Sequence, residues 1–574
     1  MEKIRKANVA FASPIRRRFT GGTLLLSSLL AAGLMSMPAM GADRDDSSVV
    51  WTSNGPVRGF VENGVHEFLG IPYAAPPVGQ LRWMPPQPHA SWTKPLDATA
   101  FGNTCPQNFE LGVYAGPPSD TEDCLYLNIF TTNVDSDGDT GRREKNPVLL
   151  WIHGGGWFDG ESNDYDASKL ALGGPAGPTV IVTMNYRLGL LGFLAHPALD
   201  AEGHAFADYG LMDQQAALRW VQQNIAAFGG DPDDVTVGGQ SAGAVSAASN
   251  LASPTAAGLF HRVHMRSGPS IAWAPLDLAE TRGANFATAA GCGTDSRAAT
   301  AACLRGLSVA DILGLQSPDY LTGLIMDGTI LPIPADEAWR TGQFNRVPII
   351  NGTTKDEGGF AAILSEVFFG PETVAGYTKL VTGIYTGNTN IFHGPNGIAG
   401  VPPFYPAGTD KKVLAQYPVI AYASPSLAEI AVLTDTESCR ARHLNHLLSQ
   451  WVPLYAYEFR DRNAPSYFPS VSFSPGAFHT SDNQYLFPLW HGGPLGTPHP
   501  LTIQESKLSD EMVAAATSFM SIGDPNFEGN HPWPRYEAGS RRYLSEHVPS
   551  LSTFSERDFS SAHQCAFWDS VLVY

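Results

Sequence analysis

Two short apolar runs, Pro147-Val-Leu-Leu-Trp-Ile152 and Thr179-Val-Ile-Val-Thr-Met184, have the length and β-branched content of strands buried on both faces. Val235-Thr-Val237, Val347-Pro-Ile-Ile350 and Pro453-Leu-Tyr-Ala-Tyr-Glu-Phe459 read as further strands. Helical stretches lie between them. From Asp208 to Phe228, the residues Leu211, Ala217, Leu218, Val221 and Ile225 fall on one side at helical spacing, and Gly229-Gly-Asp-Pro232 ends the pattern. Ala244 to Leu251, rich in Ala and Ser, predicts a second helix. The stretch from 360 to 450 reads as more helical and is expected to form a cap region. Strands alternating with helices predict an α/β architecture, a largely parallel sheet with helices on both faces. No fixed-period repeat is present.

The N-terminus departs from this pattern. Lys3, Arg5, Lys6, Arg16, Arg17 and Arg18 precede an apolar run from Thr23 to Met37, which is followed by Pro38-Ala-Met-Gly41. This is the layout of an export signal with a cut after Gly41, and Arg16-Arg-Arg-Phe19 resembles a twin-arginine signal. The apolar run is short and interrupted for a membrane span, so no stable membrane anchor is expected. The expected division is residues 1–41 as signal and 42–574 as a single domain, secreted or periplasmic. The whole chain carries a net charge of −19, which repels phosphate backbones and argues against nucleic acid as a partner.

In such a chain the six cysteines, none in a Cys-x-x-Cys pair, point to three disulfides rather than zinc or dithiol chemistry. Six cysteines allow 15 pairings, and spacing alone does not choose among them. Asp135-Ser-Asp-Gly-Asp139 looks like the start of a calcium loop, but Thr140 and Asn146 stand where glycine and an acid are needed, so a solvated turn is expected.

The chemistry gathers around Gly239-Gln-Ser-Ala-Gly243, a G-x-S-x-G elbow placed after a strand and before a helix. The elbow strains the serine backbone, and side chains two residues before and after it would clash with neighbouring strands, which explains both glycines. His153-Gly-Gly-Gly-Trp157 follows a buried strand upstream. Gly155, Gly156 and Ala242 are the expected N–H donors to a tetrahedral oxyanion, and Trp157 reads as packing. A serine nucleophile needs a base and the base needs an acid, in the chain order Ser, Asp/Glu, His. Asp356 and Glu357 compete for the acid. His479, His491 and His499 all remain open as the base.

The chain resembles the type-B carboxylesterase family, the carboxylesterase and cholinesterase lineage of α/β hydrolases. The resemblance rests on Phe68-Leu-Gly-Ile-Pro-Tyr-Ala-Ala-Pro-Pro-Val-Gly79, Glu122-Asp-Cys-Leu-Tyr-Leu-Asn128, the His153–Trp157 loop and Asn185-Tyr-Arg-Leu-Gly189. It continues through Asp213-Gln214, Phe228-Gly-Gly-Asp-Pro232, the Ser241 elbow, Lys355-Asp-Glu-Gly358 and Cys565-Ala-Phe-Trp568. It implies Ser241 as nucleophile, Glu357 as acid and His479 as base. It also implies the disulfides Cys105–Cys124, Cys292–Cys303 and Cys439–Cys565. Ser267 is implied as a buried serine near the triad, and Trp273 and Phe360 as pocket walls. Arg82 with Glu122, and Arg187 with Asp213, resemble structural ion pairs.

Two positions depart from the family pattern. Gln240 stands where an acid usually precedes the nucleophile, and Asp482 where a glutamate often follows the histidine. The first removes a negative charge beside the serine and argues against a cationic substrate. The expected protein is a secreted serine carboxylesterase acting on small-molecule esters, with no metal or cofactor required. An amidase or carbamate hydrolase would use the same triad. A catalytically silent binding module of this fold would have a broken one, and this chain does not.

Overall fold

The structure, a computed structural model, describes residues 48–108, 111, 115–134, 145–268, 273–293, 296–317, 319–386, 405–488 and 499–572. The chain divides between Asp43 and Arg44, and the described residues all belong to the second part. The expected signal at 1–41, the Asp135–Asp139 turn and His491 lie outside the described residues.

Among the described residues, eleven strands make the central sheet. They are β1 (Phe60–Glu62), β2 (Val65–Pro72), β3 (Tyr126–Thr131), β4 (Asn146–Ile152), β5 (Val180–Met184), β6 (Gly230–Gln240), β7 (Arg262–Arg266), β8 (Ile349–Thr354), β9 (Leu454–Phe459), β10 (Arg542–Glu546) and β11 (Ser552–Ser555). Their order across the sheet is β11-β10-β9-β8-β7-β6-β4-β5-β3-β2-β1. Every neighbouring pair from β5 to β10 is parallel, and the pairs toward both edges are antiparallel.

The alternation along β4 explains the layers. Val148, Leu150 and Ile152 enter one core, while Leu149 and Trp151 enter the other. The helices α1 (Tyr209–Asn224) and α2 (Ala242–Ala252) contribute Leu218, Val221, Ala247 and Leu251 to the first core. The described parts of the 360–450 region are mainly helical, with α3 (Gly359–Phe369), α4 (Val374–Thr386), α5 (Thr409–Gln416) and α6 (Pro425–Leu448). On the opposite face, α7 (Ile503–Ile522) packs Leu508, Met512 and Phe519 into the second core. Among the described residues, no single helix is long and apolar enough to cross a membrane.

Three boundaries differ from the sequence pattern. The helix from 208 stops at Asn224, and a 3-10 turn, Ile225–Phe228, carries the chain to Gly229 at φ +77°. Strand β6 extends well beyond Val235–Val237, because its glycine-rich C-terminal half still pairs with β4 and β7. Strand β8 continues four residues past Ile350 through Asn351-Gly-Thr-Thr354, all buried. Asn351 there donates a 2.7 Å hydrogen bond to Asn445, so polar residues sit in the sheet without an apolar signal.

Three disulfides are formed: Cys105–Cys124, Cys292–Cys303 and Cys439–Cys565, with Cα separations of 4.9, 5.5 and 5.4 Å. The two expected ion pairs are also present, Arg82–Glu122 at 2.5 Å and Arg187–Asp213 at 2.8 Å, both well inside the scaffold.

Candidate active site

The site collects at the carboxyl ends of the parallel strands. Ser241 follows β6 and has φ +58° and ψ −128°, the strained corner expected of the elbow. The flanking glycines are sterically required. A Cβ on Gly243 would overlap the Ile152 carbonyl oxygen at the end of β4, and one on Gly239 would lie 2.7 Å from the same atom. The Ser241 N–H donates to the Arg266 carbonyl at 2.9 Å, which ties the corner to the end of β7. Helix α2 begins at Ala242, so its N-terminal dipole points toward the serine.

The glycine loop after β4 supplies the facing wall. Gly155 and Gly156 sit at φ +102° and +61°, a conformation that suits glycine. Among the described residues, the N–H groups of Gly155, Gly156 and Ala242 donate no hydrogen bond, which leaves three donors near the serine. His153 is held neutral, since burial pushes its pKa down to about 4. Trp157 packs as expected, its indole N–H donating to Ser246 at 3.0 Å.

Beyond β8 the two adjacent acids part company. Glu357 Oε2 lies 2.5 Å from His479 Nδ1. Asp356 turns away, pairing with Arg462 and accepting the Ala477 N–H at 2.9 Å, so it clips the loop that carries His479. Burial pulls the His479 pKa down, but Glu357 beside it overcompensates and the net shift is upward. The other face of the imidazole meets Gln240, whose side-chain nitrogen is 3.1 Å from His479 Nε2. His499 is exposed and stands apart from the cavity.

Ser241, Gly155, Gly156, Gln240, Phe360 and His479 line one cavity. The Phe360 ring stands edge-on to His479, 5.5 Å between centroids. Trp273 does not join this wall. Its indole N–H donates to Ser249 and its ring packs against Trp339, which makes it a core residue. Ser267 is buried at the end of β7, its N–H donating to the Gly352 carbonyl.

Sequence reasoning missed Glu161 and Asp164, which line the same cavity. Burial pushes Glu161 up to about 7, against hydrogen bonds from Asp164 and Asn163, and Asp164 is raised as well. Carboxyl groups therefore reach this cavity from the loop after the glycines, although Gln240 itself carries no charge. The available signal was the position of Glu161, four residues after the glycine loop.

A mostly parallel sheet with a strand–serine–helix elbow defines an α/β hydrolase. The chain belongs to the carboxylesterase family, whose model matches residues 46–568, and it is a carboxylic ester hydrolase. It is 34% identical over 514 residues to the para-nitrobenzyl esterase of Bacillus subtilis (strain 168), covering 86% of this chain and 94% of that one. It is 34% identical to the acylcarnitine hydrolase of Mus musculus, covering 82% of this chain and 81% of that one. A solved thermophilic PNB esterase superposes with a TM-score of 0.69 at 30% identity, covering 90% of this chain and 99% of that structure.

Proposed function

We propose that the protein is an exported serine carboxylesterase that cleaves small esters through Ser241, His479 and Glu357 by way of an acyl-enzyme. The observation that carries this reading is the 2.5 Å contact between His479 Nδ1 and Glu357, on the same cavity as the strained Ser241 and the glycine loop. Glu357 keeps the Nδ1 proton in place, which leaves Nε2 as the base. At rest the Gln240 amide faces Nε2. In the reactive complex Nε2 turns to the Ser241 hydroxyl, takes its proton as Oγ attacks the ester carbonyl, and forms an imidazolium stabilised by Glu357. The N–H groups of Gly155, Gly156 and Ala242 receive the oxyanion. The imidazolium then protonates the leaving alcohol, and water hydrolyses the acyl-enzyme by the same steps.

Residues 42–574 are proposed to act as one hydrolase domain behind an export signal at 1–41. Three disulfides support maturation in an oxidising compartment. The decisive test is Ser241→Ala, which should lower kcat on the order of a million-fold while the fold remains. An organophosphate should label Ser241 in the parent protein by peptide mass. Residual activity above about one per cent of wild type, in protein free of parent enzyme, overturns the assignment.

A further inference from the structure

The reaction cavity carries two carboxyl groups for which the chemistry above has no use. Glu161 follows Gly160 directly, and a single 3-10 turn, Ser162–Asp164, brings Asp164 to the same cavity. The two side chains hydrogen-bond each other, and Glu161 is only 5% exposed. No Lys or Arg is among the described residues lining the cavity, and its His153 is neutral. An acid pair held at low dielectric in a ligand cavity is the kind of costly arrangement that marks a binding function.

A second observation concerns hydrogen-bond acceptors. Asn483 and Thr480 line the same cavity and are 2% and 4% exposed. Asn483 Oδ1 and Thr480 Oγ1 are buried and have no hydrogen-bond partner. Buried acceptors in a cavity wall favour a ligand that brings donors. Tyr165, Tyr467 and Phe360 supply aromatic surface for its apolar stem.

We propose that this wall is a subsite for a protonated amine, so that the enzyme favours esters whose alcohol or acyl part carries an ammonium group with at least one N–H. The positive charge meets the Glu161–Asp164 pair, and the N–H meets the unpaired acceptors. A quaternary ammonium brings the charge without the donor, and a neutral isostere brings neither. The proposal rests on the esterase reading of Ser241.

The test compares kcat/KM for 2-(dimethylammonio)ethyl acetate with that for 3-methylbutyl acetate, its neutral isostere. The wild-type ratio at pH 7.5 should be about tenfold or more, as for a charge-assisted hydrogen bond, with the trimethylammonio ester between the two. Methyl 4-(dimethylammonio)butanoate against methyl 5-methylhexanoate tells whether the amine enters on the acyl side. In Glu161→Gln/Asp164→Asn the ratio should fall toward one, and because both substrates meet the same protein sample, any inactive fraction cancels. Wild-type enzyme gives an independent readout. Between pH 7.5 and 5.5 the amine stays protonated while Glu161, titrating near 7, takes up a proton, so the ratio should decline. A wild-type ratio near one on both the alcohol and acyl arms, or a ratio that survives both the double substitution and acidification, overturns the proposal. If no ester is turned over, the esterase reading fails separately. Calorimetry with dimethylethylammonium then decides the subsite, and absence of binding, or binding equal in the double variant, refutes it.

Discussion

Replacement of Arg266 has a stability consequence that the structure allows to be worked out. Arg266 is 1% exposed at the end of β7, and its guanidinium is shared between Asp482 at 2.7 Å and Glu546 at 2.8 Å. It also lies 4.4 Å over the Tyr457 ring. Arg266→Met keeps the apolar stem but strands two carboxylates that are themselves 0% and 2% exposed. Breaking one buried pair by removing a partner costs about 3–5 kcal/mol, so the loss should reach at least that range at pH 7.5. Restoring neutrality in Arg266→Met/Asp482→Asn/Glu546→Gln should recover most of it, since the uncompensated charge, not the missing attraction, carries the cost. The pH dependence has a definite sign. Burial already pushes the Glu546 carboxyl up, with Arg266 holding it down. Without Arg266 the folded-state pKa rises further above the unfolded value. Such a group favours folding below its unfolded pKa, and that contribution is lost as pH rises through the folded pKa. The variant's deficit should therefore shrink as pH falls from 7.5 toward 4.5. Urea unfolding followed by tryptophan fluorescence measures both effects. A deficit below about 1 kcal/mol, or one that does not change with pH, would show that the carboxylates are solvated and the reasoning wrong.

Glu357→Gln should cost about 10⁴-fold in kcat by favouring the wrong imidazole tautomer, whereas Asp356→Asn should lower stability more than kcat; the reverse ranking would put the acid one residue early. Gln240→Glu places a carboxylate where an amide now sits 3.1 Å from His479 Nε2, so the acidic limb of kcat/KM should move up by about one pH unit, and an unmoved limb would refute that contact. Replacing Cys439 and Cys565 by Ser opens a closure of 126 residues, worth about 5 kcal/mol by chain entropy, and an unchanged urea midpoint would rule that contribution out.

What the sequence disclosed depended on whether geometry dictates residue identity. Gly239 and Gly243 were legible because no side chain fits against Ile152. The core strands were legible because burial on both faces demands apolar runs. The end of β8 was not, since Asn351-Gly-Thr-Thr354 is buried through hydrogen bonds and packing that no local pattern announces. The ambiguity between Asp356 and Glu357 has the same origin. Which acid meets the histidine depends on the direction the chain leaves β8 and on Arg462, more than a hundred residues later. The resemblance alone implied Trp273 as a pocket wall, and its bond to Ser249 and packing on Trp339 place it in the core instead. The Glu161–Asp164 pair escaped notice because an acidic loop normally signals solvent.

The residues proposed to act together hang from β4, β6, β8 and β9, and the base stands 239 positions after Gln240 and 122 after Glu357. A chain that stalls in synthesis, or is clipped before residue 479, has the proposed nucleophile without the proposed base. One that ends before Glu546 has all three groups but leaves Arg266 half-neutralised beneath them. Fragments of this protein should therefore be silent, not merely weak. Appearance of hydrolysis during biogenesis would mark the moment when the far edge of the sheet closes, which makes the enzyme its own reporter of complete folding.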